Sequence, residues 1–214
     1  MTRQLVWLDL CSGLGGASQP ALDRGWKVIR VDIDPRFKPD IVADVRALPL
    51  KPFHVDVLWA SPPCQEFSKW GLRCFYPDPA EPDLSIALGV KEFIARLRPG
   101  QWVVENVRAS RQFLTPVFGP VRANVPGHAL WSNQLLMLPP IPAHKGSLDG
   151  RHADGERWGP IARAHDPKLE WWRNRGKSYV GTGHNGLEAA EAAKIPYEIG
   201  EAICRAVELT AFTR

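Results

Sequence analysis

The chain lacks any apolar run approaching the roughly 20 residues that a membrane-spanning helix needs. It also lacks a recognisable leader. The apolar part of "MTRQLVWLDL" is short and runs into "CSGLGG" where a cleavage site would stand. Both absences point to the cytoplasm. Cysteine is scarce: Cys11, Cys64, Cys74 and Cys204 are the only four, and none is spaced as C-x-x-C. That excludes a zinc knuckle and a redox dithiol, and leaves free thiols in a reducing compartment. Neither sign of charge dominates. The 27 Lys and Arg against 23 Asp and Glu leave a net charge of +4, which permits a polyanionic partner without demanding one. Internal repeats and low-complexity tracts are absent as well.

What is present is a core and an unusual number of indole rings. Hydrophobic residues make up 44% of the 214, enough for one domain with a small appendage and too many for a disordered chain. The nine tryptophans are of a kind that stacks on bases or lines a cleft.

Strand-like and helix-like segments alternate along the first two thirds. Leu5–Leu10, Lys27–Asp32, Asp40–Asp44, Val55–Trp59 and Trp102–Glu105 read as short buried strands. Ser85–Leu97 carries Ile86, Leu88, Val90, Phe93, Ile94 and Leu97 at helical spacing, and Pro99-Gly100 ends it. The alternation predicts an α/β fold: a Rossmann-like, doubly wound, mostly parallel sheet. From Pro139 the pattern breaks. The stretch to Leu187 is rich in Lys and Arg, holds His144, His152, His165 and His184, and includes Trp158, Trp171 and Trp172. It reads as a small irregular insert. The histidine spacings match no common metal site, so no metal is expected. Ile195-Pro196 opens a last helix with Ile199, Ala202, Ile203, Ala206 and Val207 on one face. The expected division is a cofactor-binding and catalytic part over 1–138, an insert over 139–189, and a closing helix over 190–214.

Three stretches carry chemistry. "DLCSGLGGAS" follows the first strand and opens a helix, where close glycines let backbone N–H groups approach a ligand. Its spacing is not the dinucleotide fingerprint, and a plain tight turn is the alternative. Asp32 ends the second strand, the usual place for a carboxylate that binds a ribose diol. Asp44 in the next strand is positioned to accept from an exocyclic amine. "ASPPCQEFS" sets Cys64 after two prolines, which fix φ and hold a stiff turn at a strand's end. A buried cysteine acting as a small hydrophobe is the bland alternative. "VVENV" brings Glu105 out of a buried strand, which is unfavourable unless the group is paired, here with Arg108 or Arg111, or used.

In that order, "DLCSGLGGAS", "ASPPCQEFS" and "VVENV" resemble the DNA cytosine-5 methyltransferases, in a small phage- or prokaryote-type form. The family's cofactor loop is D-L-F-x-G-x-G-G, matched except at Cys11. Its nucleophile motif P-C-Q is matched by Pro63, Cys64 and Gln65, and its E-N-V by Glu105, Asn106 and Val107. "KIPYEIGEAICRAV" resembles the family's closing helix. The resemblance implies S-adenosylmethionine as cofactor, held by Cys11, Gly13, Leu14, Gly16, Asp32, Ile33, Asp44, Val45 and Pro63. Gly13, Leu14 and Gly16 would approach its methionine portion, Asp32 the ribose, Ile33 the adenine ring and Asp44 the amine. It implies DNA as partner, with Cys64 as nucleophile on C6 of cytosine and Glu105 on the ring. Gln65, Asn106 and the insert's Arg173 and Arg175 would contact the nucleic acid. A duplex target would require the base to leave the stack. It also implies the cytoplasm of a prokaryotic or phage-infected cell, where restriction protection and genome modification both fit.

The chain departs from the family in two places. The R-x-R motif expected after E-N-V has no counterpart; Arg122 in "FGPVRANVPGHALWSN" stands as the candidate, beside Arg108, Arg111 and His128. The Gly-Asn expected before the closing helix is Ala192-Ala193. Two other readings stay open: C5 modification of a cytosine nucleotide or RNA, and a non-catalytic nucleic-acid-binding protein on the same scaffold. Amino-group methyltransferases fit less well, because they follow the prolines with an aromatic residue.

Overall fold

The computed structural model describes residues 3–49, 51–71, 78–141 and 194–211. Most of the expected insert, with Arg173, Arg175 and its three tryptophans, lies outside the described residues, as do Cys74, Ala192 and Ala193.

Seven strands form one sheet: β1 (Val6–Leu10), β2 (Lys27–Asp32), β3 (Ile41–Val42), β4 (Val57–Ala60), β5 (Gln101–Val107), β6 (Val121–Val125) and β7 (His128–Ser132). Their order is β3-β2-β1-β4-β5-β7-β6. The pairs among β1 to β5 are parallel, and β7 runs antiparallel to both β5 and β6. The helices described are α1 (Gln19–Asp23), α2 (Gln65–Gly71), α3 (Ser85–Leu97), α4 (Arg111–Phe118) and α5 (Tyr197–Ala211). Among these residues no helix is long and apolar enough to cross a membrane.

Strand alternation sends successive side chains to opposite faces. Leu8, Leu10, Leu58, Ala60, Val104 and Trp131 meet Val90 and Phe93 of α3 and Leu114 of α4. Trp7, Val57, Trp59, Val103 and Leu130 meet Ala21 of α1 and Ile199 and Ile203 of α5. Helices therefore cover both faces, and the expected doubly wound, mostly parallel sheet is what the chain forms. Trp7 lies between Trp26 and Trp59, with ring centroids 6.3 and 6.4 Å away. These indoles, with Trp131, are core residues rather than base-stacking ones. The last helix docks closely: a Cβ on Gly200 would fall 2.2 Å from the Ala17 carbonyl oxygen. Arg24 fixes it further through a two-pronged pair with Glu201.

Strand order reverses beside β1, with β2 on one side and β4 on the other. In such sheets ligands bind outside the carboxyl ends of the strands at this switch point. The glycine loop leaves β1 there and the Pro62-Pro63-Cys64 turn leaves β4 there. The Leu10–Ala60 pairing and a Ser61 N–H to Leu10 carbonyl bond of 3.1 Å hold them side by side.

The β6–β7 hairpin is a feature that strand patterning did not predict. Pro126-Gly127 turns it, and the positive φ of 83° at Gly127 explains the glycine. Strand β4 starts two residues later than expected. Asp56, just before it, accepts hydrogen bonds from Arg3 and from the Val6 N–H instead.

Candidate active site

The loop after β1 is held in a tight conformation. Cys11, Gly13 and Gly15 have φ of 54°, 48° and 73°. Such values suit glycine and are uncommon for cysteine. The loop is tied to β2 by Ser12 N–H to the Val31 carbonyl at 3.1 Å and by Gly13 N–H to Asp32 Oδ2 at 2.8 Å. Asp32 also accepts from the Asp34 N–H at 2.9 Å through Oδ1. The three glycines then divide their tasks. A Cβ on Gly13 would meet nothing within 4 Å, whereas one on Gly16 would fall 2.7 Å from the Ile195 carbonyl oxygen. Gly16, expected against a ligand, is small because the segment leading into α5 lies on it. Gly13 borders open space. Helix α1 spans only five residues and begins beyond Ala17 and Ser18, so the loop itself, not a helix end, faces that space.

Beneath the loop sits Asp9, a buried carboxyl on β1 that sequence reasoning did not single out. Ser18 Oγ donates to it at 2.5 Å. Burial pushes its carboxyl up to about 7; Ser18 and the charge of Arg30 oppose this, and the charge of Asp32 adds to it. The unfolded chain loses this proton near an ordinary carboxyl value of about 3.9. The folded state retains it to higher pH, so the stability tied to Asp9 is full below about pH 4 and is lost as pH rises through about 7. Asp9→Asn carries no charge at any pH and keeps an acceptor for Ser18. Scanning calorimetry should find its melting temperature relative to wild type higher at pH 8 than at pH 5. Equal differences at the two pH values would refute the assignment.

The other expected cofactor contacts are partly gathered around this opening. Ile33 follows β2 with 66% of its surface exposed. Asp44 is tied to the Arg46 N–H and guanidinium, which hold its carboxyl down at about 2. Arg46 in turn donates to Ser85 Oγ at the start of α3. Leu14 is half-buried and Pro63 is exposed. Val45, also expected at the ligand, has its side chain buried in the apolar core against α3. Cys11 packs against the same core. Burial first, then the charges of Asp32, Asp9 and Asp44, push its thiol up to about 12.

Cys64 lies at the end of the proline turn, immediately before α2. The Ser68 N–H and Oγ both bond to its carbonyl oxygen, at 2.9 Å each. The turn is anchored from the neighbouring strand: Asn106 Nδ2 donates to the Pro62 carbonyl at 2.9 Å. Asn106 Oδ1 accepts from the Val107 N–H. Asn106 is buried and both ends of its amide are engaged within the protein. It therefore clamps the cysteine turn to β5. Gln65 is exposed at the start of α2. A cleft of about 230 Å³ opens between the turn and α3, lined by Pro62, Pro63, Gln65, Asp83 and Ile86.

Glu105 sits on β5, beside the strand that carries Cys64, and is buried. Burial raises the Cys64 thiol above its ordinary value, the Glu105 charge raises it further, and Ser68 works in the opposite direction. The two groups thus sense each other. Neither Arg108 nor Arg111 pairs with Glu105. Arg108 Nη2 donates to the Val125 carbonyl at 3.2 Å, and Arg111 bonds to Asn124. Instead His128 Nδ1 lies 2.6 Å from Glu105 Oε1.

Arg122 is placed away from this pair. It stands on edge strand β6 at a register irregularity, exposed, with Nε donating to the Ser132 carbonyl at 3.3 Å. Ser132 pairs with Val103 whereas Glu105 pairs with Leu130, so Arg122 is drawn toward the opposite end of β5. Arg122, expected in a catalytic role, is therefore not brought beside Cys64 and Glu105. Among the described residues no group of three or more His, Cys, Asp or Glu side chains could hold a metal ion.

Residues 6–113 match the model of the C-5 cytosine-specific DNA methylase family. A curated relative, a probable DNA (cytosine-5)-methyltransferase of Frog virus 3 (isolate Goorha), is 33% identical over 116 residues. The match covers 49% of this chain and 54% of the relative, so the chain spans about half of that protein's length. Among solved structures, a putative DNA modification methyltransferase encoded within an E. coli prophage aligns at 18% identity and a TM-score of 0.42, over 60% of this chain and 46% of its own. The methyltransferase EhMeth of Entamoeba histolytica aligns at 15% identity and the same TM-score, over 66% of this chain and 57% of its own. The family match takes in the glycine loop, the Pro62-Pro63-Cys64 turn and the Glu105 strand together, across half of the chain: the protein belongs to the C-5 cytosine-specific DNA methylases.

Proposed function

We propose that this chain methylates cytosine at C5 in DNA, with S-adenosylmethionine as methyl donor and a covalent Cys64–C6 intermediate. The observation that carries this reading is the juxtaposition of two strand ends. The Asn106–Pro62 bond fixes the cysteine turn beside Glu105, and that turn leaves the sheet next to the glycine loop.

The loop residues fit the cofactor. Gly13 leaves room where a side chain would intrude, Asp32 lies under that loop, and Ile33 is exposed beside it. Asp44, ionised and held by Arg46, has lone pairs left for an amine. When bound, S-adenosylmethionine supplies a methyl group on a sulfonium. The chain's own residues do the rest. C5 of cytosine is a weak nucleophile, and addition of sulfur at C6 makes it enamine-like, splitting one difficult step into two. Cys64 supplies that sulfur as a thiolate, the reactive form. The rigid turn and its clamp set the direction of approach. Glu105 shares a proton with N3 as electron density builds on the ring. The insert, with Arg173 and Arg175, is assigned to the DNA phosphates, and a duplex target would present its base flipped out.

Cofactor binding tests the loop assignment. Asp32→Ala removes the acceptor of both the Gly13 and Asp34 N–H groups. Calorimetry should show S-adenosylmethionine affinity weakened by roughly tenfold or more, as expected for a lost charged hydrogen-bond pair. No binding by the wild-type protein at millimolar cofactor would remove the methyltransferase reading.

A further inference from the structure

We propose that His128 is a positioning residue for Glu105 and that its Nδ1 supplies the proton which Glu105 shares with the base. This rests on the Cys64–C6 addition above.

Three features of the fold carry the inference. Glu105 is buried, and a carboxylate there needs a donor. Among the described residues the only hydrogen-bond partner of its carboxylate is His128, whose Nδ1 lies 2.6 Å from Oε1. The antiparallel register sets His128 opposite Val107 and Glu105 opposite Leu130. His128 is thus a diagonal neighbour of Glu105, within reach of a long side chain. The turn at Pro126-Gly127 starts β7 at His128 itself, which leaves the imidazole at the strand's end. Its side chain is 18% exposed, and Nε2 has no hydrogen bond among the described residues, so water can exchange protons there.

The charged groups around the pair are few. Cys64 approaches from the turn after β4 and is sensitive to the Glu105 charge. Arg108 and Arg111 follow β5 but are held by the Val125 carbonyl and by Asn124.

Imidazolium with carboxylate, and imidazole with carboxylic acid, contain the same single proton. As the Cys64 thiolate, its proton already released to solvent, adds through Sγ to C6, the C5=C6 electron pair shifts toward C5 and the shared proton passes from His128 Nδ1 through Glu105 to N3, which leaves the pair as neutral imidazole and carboxylate. When the C6–S bond breaks, N3 returns its proton and the pair is restored.

Exchange of the cytosine C5 hydrogen with solvent, measured without cofactor, reads the addition step alone. Wild type, His128→Ala and His128→Asn are compared on a DNA substrate over a range of pH. Calorimetry of S-adenosylmethionine binding checks that each is folded. His128→Ala should exchange roughly a hundredfold more slowly, the loss expected for an acid–base contribution, with substrate KM unchanged. His128→Asn keeps an N–H donor near Nδ1 but stores no proton. It should exchange near the wild-type rate at acid pH and fall further behind wild type as the pH rises. It also decides the matter if the alanine variant fails to fold. Both variants matching the wild-type rate and pH profile, with wild type exchanging, overturns the inference alone. Wild type that neither exchanges nor methylates overturns the cytosine-5 reading and the inference together.

Discussion

Replacement of Cys64 by serine is expected to lower methyl transfer by at least roughly 10⁴-fold, as removal of a nucleophile commonly does. Cofactor affinity should stay unchanged. The substitution is nearly isosteric, and the contacts that shape the turn run through main-chain atoms: the Pro62 carbonyl held by Asn106 and the Cys64 carbonyl held by Ser68. What changes is acidity. A hydroxyl is far less ionised than a thiol near neutral pH, so addition to C6 stops while the site remains built. Steady-state methylation and calorimetry on the same preparation separate the two outcomes. Turnover within tenfold of wild type would assign the proline turn to packing alone.

Glu105→Gln should have two effects of opposite sign. Methyl transfer should fall by roughly 10²–10³-fold, because an amide cannot pass a proton to N3. At the same time Cys64 should become more reactive toward iodoacetamide at a fixed pH. Burial is the larger cause of its raised thiol and persists in the variant, but the negative charge of Glu105 is removed. Peptide mass spectrometry over a pH series would follow Cys64 separately from Cys11 and Cys204, both pushed up to about 12. Alkylation that is slower or unchanged would contradict the coupling.

Much of the scaffold was legible in the sequence because its signals are local. The apolar positions of Ser85–Leu97 and the Pro99-Gly100 stop mark α3 to the residue, and Lys27–Asp32 marks β2 equally well. The order of the glycine loop, the cysteine turn and the Glu105 strand indicated the parallel sheet. The features that the sequence does not reveal depend on partners distant in the chain. Asn106 reads as a base contact until its partner, the Pro62 carbonyl 44 residues away, is known. Gly16 reads as a ligand contact until the Ile195 carbonyl is seen against it. Arg122 was favoured because a cation was expected after E-N-V, but the hairpin turns it away. That hairpin had a local signal, Pro126-Gly127 between two short apolar runs, and it would have placed His128 at a strand start. Pairing of β7 with β5, which sets His128 against Glu105, is a long-range choice that sequence periodicity does not encode.

The central claim is a bond between Cys64 Sγ and C6 of the target cytosine. It is tested most directly with DNA carrying 5-fluorocytosine, in which fluorine replaces the departing C5 proton and elimination cannot finish. Mass spectrometry of the digested complex should find the Cys64 peptide joined to the base, with the methyl group already transferred, and no such adduct in Cys64→Ser. An adduct on Cys74, or methylation of ordinary DNA that survives Cys64→Ser, would contradict the account.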